Sequence, residues 1–407
     1  MTASPPSAAV AVDDAVEVDV VRVATGGEGV GRAPDGRTLF VAGALPGERV
    51  RATVLEVRKR HGRAELVDVV HAAPGRRPPP CPHVADGCGG CDWQHATDEL
   101  QAAMRRTIVT DALVRIGRIA EPVVEDGTTL PADARRTTIR AAVVDGRAGY
   151  RRRRSHDVIA PGICMVVHPH LEELLVDGRF GAATEVLLRV GARTGDRVAV
   201  VAPTAADVDL PGAVDVLGDD DVERGERGAI HEEAGGRRWR VSARSFFQPS
   251  PEAADALVEE VRDAVGERSA GGRLVDLASG VGLFAGTVGG AFDEVVAVES
   301  APTAVADAEV NLADRPVRIV RSTIERWAPE PADVVVADPP RAGLGRVGVE
   351  RVVATGARVV VLVSCDAAAL GRDAGLLVAA GFRLERSRVL DLFPQTAHVE
   401  VVSRFVR

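Results

Sequence analysis

Arg273-Leu-Val-Asp-Leu-Ala-Ser-Gly-Val-Gly-Leu-Phe284 runs from a short apolar strand into a glycine-containing loop and then into a helix. Four more apolar runs follow: Glu294-Val-Val-Ala-Val298, Val317-Arg-Ile-Val320, Val334-Val-Val-Ala337 and Arg358-Val-Val-Val-Leu-Val363. Helical segments over Ala301 to Ala313, Val347 to Ala354 and Ala367 to Ala380 lie among them. Parallel neighbours need a crossover, and a helix supplies it, so this alternation predicts a doubly wound parallel sheet. Two closing runs, Arg383 to Val389 and Val399 to Phe405, make seven strands of a Rossmann-like α/β fold.

Upstream the pattern changes twice. Val18 to Val70 alternates apolar and polar residues in short runs broken by Gly26-Gly-Glu-Gly-Val-Gly31 and Pro46-Gly47, which predicts a small OB-like barrel. Pro74-Gly-Arg-Arg-Pro-Pro-Pro80 reads as a linker. Cys81 opens a central region with a helix over Leu100 to Ile116 and mixed strands and loops to about Arg240. The expected units are therefore 15–73, 74–243 and 244–407.

Composition narrows the class. The chain has 407 residues, 46% hydrophobic and 27% charged, which excludes disorder throughout and allows two or three domains. Met1 to Asp14 has no leader pattern and no apolar run is long enough to span a bilayer, so a cytoplasmic protein is expected. The net charge of −9 excludes a global field for nucleic acid, so an RNA partner must meet a local basic patch. Lys59 is the only lysine, and the excess of arginine reads as compositional bias. Five cysteines are too few for a disulfide scaffold and point to reduced thiols with chemical tasks.

The loop after the first strand of the sheet, Asp276 to Gly282, lets backbone approach a ligand at the carboxyl edge, where Glu299 ends the next strand and can accept from ribose hydroxyls. A Gly-x-Gly turn is equally a tight connection. With Glu299 after it, and with no phosphate-binding Gly-x4-Gly-Lys pattern, it points to S-adenosylmethionine rather than NAD or ATP.

Cys81, Cys88 and Cys91 stand on a glycine-rich loop, with Cys164 as a fourth thiol downstream. Four thiolates suit zinc or a [4Fe-4S] cluster, and one Cys-x-x-Cys flanked by distant single cysteines favours the cluster. His83 and His95 are nearby zinc candidates. The fifth cysteine, Cys365, sits between a strand and a helix, where the helix N-terminus is expected to lower its pKa and favour a nucleophilic thiolate. Glu400, inside an apolar stretch, is expected to be desolvated toward the pKa of a general base. The bland alternatives are a packed cysteine and an outward strand carboxylate.

These residues resemble the S-adenosylmethionine-dependent RNA uracil-5-methyltransferase family, in its iron-sulfur branch with an N-terminal TRAM barrel acting on 23S rRNA. The likeness rests on the Cys81, Cys88, Cys91, Cys164 set, Ser245-Phe-Phe-Gln248, Asp338-Pro-Pro-Arg341, Val363-Ser-Cys365 and Phe393-Pro-x4-Val-Glu400. It implies a seven-stranded class I methyltransferase domain, a TRAM barrel and a central α+β iron-sulfur domain. It also implies Cys365 as nucleophile at uridine C6, Glu400 as base at C5, and a cofactor held by Gln248, Asp276, Ala278, Gly280, Gly282, Glu299 and Asp338. RNA is the implied partner, gripped by the barrel and by Tyr150-Arg-Arg-Arg-Arg154; no membrane or obligate protein partner is implied. Three departures stand out: Ala278 where the family has an aromatic, Asp366-Ala367 where it reads Asn-Pro, and Ser250 where it reads Asn. Asp366 beside the thiol is expected to raise its pKa. A tRNA T-loop uridine, a non-catalytic iron-sulfur RNA-binding protein and a small-molecule methyltransferase are the competing readings.

Overall fold

The structure, a computed structural model, describes residues 9–225, 228–266 and 271–407. Most of the leader reading over Met1 to Asp14 lies outside the described residues. No described helix is long and apolar enough to cross a membrane.

Strands β1 (Ala15–Val23), β2 (Gly29–Arg32), β3 (Thr38–Ala42), β4 (Arg49–Val57) and β5 (His61–His71) close a barrel in the order β1-β2-β3-β5-β4. The period-two pattern has its cause here: Val16, Val18 and Val20 alternate inward to meet Leu39, Val41, Val50 and Val54.

Helix α1 (Asp98–Arg115) starts at Thr97, whose hydroxyl accepts from the Leu100 amide. The chain then makes β6 (Val124–Thr129), β7 (Thr138–Val144), β8 (Arg147–Arg151), β9 (Val158–Ile159), α2 (Pro169–Val176), β10 (Arg179–Phe180), β11 (Glu185–Val190), β12 (Arg197–Ala202), β13 (Val208–Asp209), β14 (Asp215–Gly218), α3 (Asp219–Glu223) and the hairpin β15 (Ala229–Ala234) and β16 (Arg237–Ser242). Six of these strands form one sheet, β14-β12-β11-β7-β8-β9, covered by Leu171, Leu174 and Leu175 of α2.

The remaining chain builds α4 (Pro251–Val265), β17 (Arg273–Leu277), α5 (Leu283–Thr287), β18 (Glu294–Glu299), α6 (Pro302–Asn311), β19 (Val317–Arg321), β20 (Val334–Ala337), α7 (Gly345–Ala354), β21 (Val359–Ser364), α8 (Ala367–Ala379), β22 (Arg383–Asp391) and β23 (Glu400–Val406). The sheet order is β19-β18-β17-β20-β21-β23-β22-β6. It has eight strands, not the seven expected, because β6 from the central region adds in parallel to β22, pairing Ser387 with Val124. β20 and β21 are buried on both faces, which is why they read as unbroken apolar runs. Val334 and Val336 face the α4 side, while Val335 and Ala337 face α1 and α8. Each such buried Val contributes roughly 1.5–3 kcal/mol. In consequence the ends of β17, β18, β20 and β21, and the start of antiparallel β23, emerge at one edge.

Candidate active site

Strand register brings Cys365 to Glu400. β21 and β23 pair antiparallel as far as Ser364 opposite Val401, so Cys365, directly after β21, comes close to Glu400 at the start of β23, whose charge acts on the thiol. Glu400 is 4% exposed, and burial together with the charge of Asp338 pushes its carboxyl well above the ordinary range. Asp338, at the end of β20, is likewise pushed up by burial.

The Cys365 thiol is pushed up to about 11, first by burial and then by the carboxylates of Glu400 and Asp338, with Arg341 opposing them. The expected lowering by the helix N-terminus is therefore overturned: desolvation and two facing carboxylates outweigh the dipole. Asp366 is not the cause either. It caps α8, accepting from the Ala369 amide at 2.8 Å, a duty that Asp and Asn perform alike. Cys365 opens into a cavity of about 270 Å3 shared with Thr25, Asp92, Arg341 and His398.

The glycine loop has the form expected at the sheet edge. Gly280 adopts φ +56° with open space where a side chain would stand, and its amide donates to Glu299 Oε2 at 2.9 Å. Glu299 Oε1 accepts from the Ser300 and Ala301 amides at 2.6 and 2.7 Å, so this carboxylate shapes the loop as well as facing it. Ala278 holds φ +59° and Gly282 φ +98°. Asp276 is fully buried, its carboxyl pushed up to about 7 by desolvation; Oδ2 accepts from the Ala285 amide at 2.9 Å, and Oδ1 has no partner among the described residues. Ser279 Oγ is buried and unpartnered in the same sense. Gln248 is 6% exposed and its side chain has no hydrogen bond among the described residues. Buried polar groups without partners are rare, and a polar ligand at this loop would satisfy them, so the residues fit S-adenosylmethionine.

The segment that leads to Gln248 is anchored at Ser242 and Ser245 by residues that the sequence did not single out. Asp307 of α6, fully buried, accepts from the Ser242 amide at 2.8 Å and from the Ser245 hydroxyl at 2.7 Å, and pairs with Arg240. Phe246 is 67% exposed, Phe247 packs on the core, and Phe393 stands edge-to-face with His398 at 5.7 Å. Ser250 caps α4, accepting from the Ala253 amide, so the departure from Asn keeps the cap.

The loop before Glu400 is clamped by α1. Arg105 donates to Asp391 Oδ2 at 2.7 Å and to the carbonyls of Thr396, His398 and Phe393 at 2.9, 3.1 and 3.2 Å. Gln101 accepts from the Gln395 amide at 2.8 Å. The amides of Asp92 and Trp93 both donate to the Gln395 carbonyl at 2.9 Å. A polar pair at i, i+4 inside an otherwise apolar helix face was the signal for Gln101 and Arg105. From the barrel, Gly27 takes φ +87° and its carbonyl accepts from Trp93 Nε1 at 3.1 Å; a Cβ there would meet Ala397 at 2.7 Å.

Cys81, Cys88, Cys91 and Cys164 line one small cavity, otherwise walled largely by apolar residues. Burial and neighbouring thiols push Cys91 up to about 11 and raise Cys88 and Cys164 as well. Tyr150 Oη lies 3.8 Å from Cys164 Sγ. Among the described residues no three His, Cys, Asp or Glu side chains are arranged to hold a metal ion. The expected metal set is thus a shared thiol cavity and not a formed coordination site. His83 bonds Asp86, and burial pushes His95 down to about 4. The arginine strip divides: Arg153 pairs with Asp92 and Arg154 with Glu28 of the barrel, whereas Arg151 and Arg152 are exposed.

Residues 12–67 match the TRAM domain family. The chain is 38% identical to a Streptomyces avermitilis protein named as an uncharacterized RNA methyltransferase, over 95% of this chain and 97% of that one. It is 39% identical to a likewise named Streptomyces coelicolor protein, over 96% and 93%. The chain belongs to this family of RNA methyltransferases. The family resemblance drawn from the motifs is borne out; the 23S rRNA type within it is not reached by these findings. Among solved structures, Pyrococcus abyssi tRNA (uracil-54, C5)-methyltransferase in complex with S-adenosyl-L-homocysteine superposes with a TM-score of 0.72 at 23% identity, covering 96% of this chain and 99% of that one. This RNA methyltransferase therefore shares its fold from end to end.

Proposed function

We propose that the protein methylates C5 of a uridine in 23S rRNA, using S-adenosylmethionine and a covalent adduct to Cys365. The single observation that carries the reading is the β21–β23 register, which sets a thiol against a buried carboxyl at the lip of an open cavity. Uracil C5 is a weak nucleophile. The Cys365 sulfur adds to C6, turning the ring into an enolate whose C5 takes up the methyl group; Glu400 then removes the proton that C5 still carries in the methylated adduct, and the C6–sulfur bond breaks to release the Cys365 thiolate. Arg341, the cation acting on the thiol, favours its ionised form. S-adenosylmethionine, when bound, supplies the methyl group, and Gln248, Asp276, Ala278, Gly280, Gly282, Glu299 and Asp338 form its site. The uridine leaves its stack to reach Cys365, at a cost of a few kcal/mol.

In this reading the units 15–73, 74–243 and 244–407 divide RNA grip, thiol cavity and chemistry. Cys81, Cys88, Cys91 and Cys164 fit a [4Fe-4S] cluster by donor type and by sharing one cavity, and this set favours the rRNA branch over a tRNA T-loop. The cluster's part would be to stiffen the loop that carries Asp92 and Trp93, and so the segment before Glu400. RNA containing 5-fluorouridine tests the function: fluorine at C5 cannot leave as a proton, so the adduct accumulates. Capture by the protein and none by Cys365→Ala is expected; no capture by the protein overturns the reading.

A further inference from the structure

A trough leads away from the Cys365 cavity. His398 borders that cavity and also a second one, whose walls include Phe393, Arg135 and Arg136; Arg136 continues into the thiol cavity. The two arginines stand on the segment between β6 and β7, and their amides donate to the Val166 carbonyl at 3.2 and 2.9 Å. Their placement is therefore fixed by backbone. Both side chains are half-buried, neither guanidinium has a hydrogen bond or ion pair among the described residues, and Arg135 Nε is buried without a partner. Other withdrawn guanidinium groups have acceptors: Arg105 four in the loop before Glu400, Arg189 the Ser242 carbonyl, and Arg237, whose Nε is also unpartnered, Asp314 and the Asn311 carbonyl.

The carboxylates whose charge reaches Arg135 are Asp391, Asp133 and Glu252. Asp391 gives Oδ2 to Arg105 and keeps Oδ1 unpartnered, Glu252 pairs with Arg193, and none of the three carboxylates forms an ion pair with Arg135 among the described residues. A guanidinium withdrawn from water with unused donors loses hydration that a partner must restore, and its planar fork matches two oxygens of a phosphodiester. Phe393 in the same wall offers a ring to the adjoining base or ribose.

We propose that Arg135 and Arg136 grip the phosphodiester backbone of the RNA strand flanking the nucleotide in the Cys365 cavity. This rests on the proposed function, because only a nucleic acid seated at Cys365 would continue past His398 into the trough.

The test measures binding of a short oligouridylate across a series of salt concentrations, with the full chain, an Arg135→Gln/Arg136→Gln double variant and an Arg135→Lys/Arg136→Lys pair. Two single-strand phosphate contacts predict that the glutamine pair weakens binding on the order of tenfold and flattens the salt slope by about 1.4. The lysine pair keeps the slope. Neither arginine has a folded-state partner to lose among the described residues, and unchanged melting temperatures verify that the variants fold. An unchanged slope in the glutamine pair, or no salt-dependent binding by the unaltered protein, overturns the proposal. Capture of 5-fluorouridine RNA at saturating concentration separates the two ideas: it persists in the glutamine pair if only the trough assignment fails, and is missing from the unaltered protein if the function fails.

Discussion

Cys365 and the thiols at 88, 91 and 164 are all pushed upward by burial, yet the two regions differ in what surrounds the sulfur. Cys365 stands at a strand end, close to the Glu400 carboxyl and open to a cavity of about 270 Å3. The other cavity holds thiols against thiols, with apolar walls and a tyrosine hydroxyl. A proton acceptor and room for a planar ring suit one thiol to bond making; a set of soft donors suits the others to ligation. Burial alone says nothing about a cysteine's task.

The largest effect breaks the comparison outright if it fails. Cys365→Ala should lower methyl transfer by at least about 10⁴-fold, since the adduct cannot form, while Cys91→Ser should retain capture of 5-fluorouridine RNA and, on the proposed cluster reading, lose iron and visible absorbance relative to the unaltered protein. Loss of capture in both variants would merge the two regions into one. Glu400→Gln should slow turnover by about 10²–10⁴-fold while a C6 adduct with ordinary uridine RNA lengthens in lifetime; single-turnover chemistry with mass analysis of the trapped complex reads both. The pH dependence is smaller per step. Only the thiolate is alkylated, and a pKa of about 11 lies above the working range. The alkylation rate of Cys365 in the free protein should therefore climb about tenfold per unit between about pH 7 and pH 9, without a plateau. A plateau near neutrality would reinstate the dipole-lowered thiol. Smallest is Asp366→Asn: the cap is kept, so the melting midpoint should correspond to under about 0.5 kcal/mol and the alkylation profile should not move.

The parallel strands were legible because burial on both faces writes itself as unbroken Val and Leu: the runs at Arg273–Leu277 and Val334–Ala337 coincide with β17 and β20. β6 was not, since Val124-Glu-Asp-Gly-Thr-Thr129 is an edge strand with little apolar surface to signal it. In the central region β9, β10 and β13 are two residues long, too short for any period. Cys365 and Glu400 could be picked out because chemistry-bearing residues at strand ends are few. The Arg105–Asp391 clamp spans 286 residues, and Arg135-Arg136 sits in a loop without periodicity, so no local pattern announces either.

The close approach at Gly27 has an architectural consequence. A module hung on a tether can be exchanged like a tool on a handle, but this barrel is keyed into the rim of the pocket through one residue too small to replace. Fitting a foreign barrel would mean recutting the lock, whereas the outer surface of the native one can change without disturbing that seat.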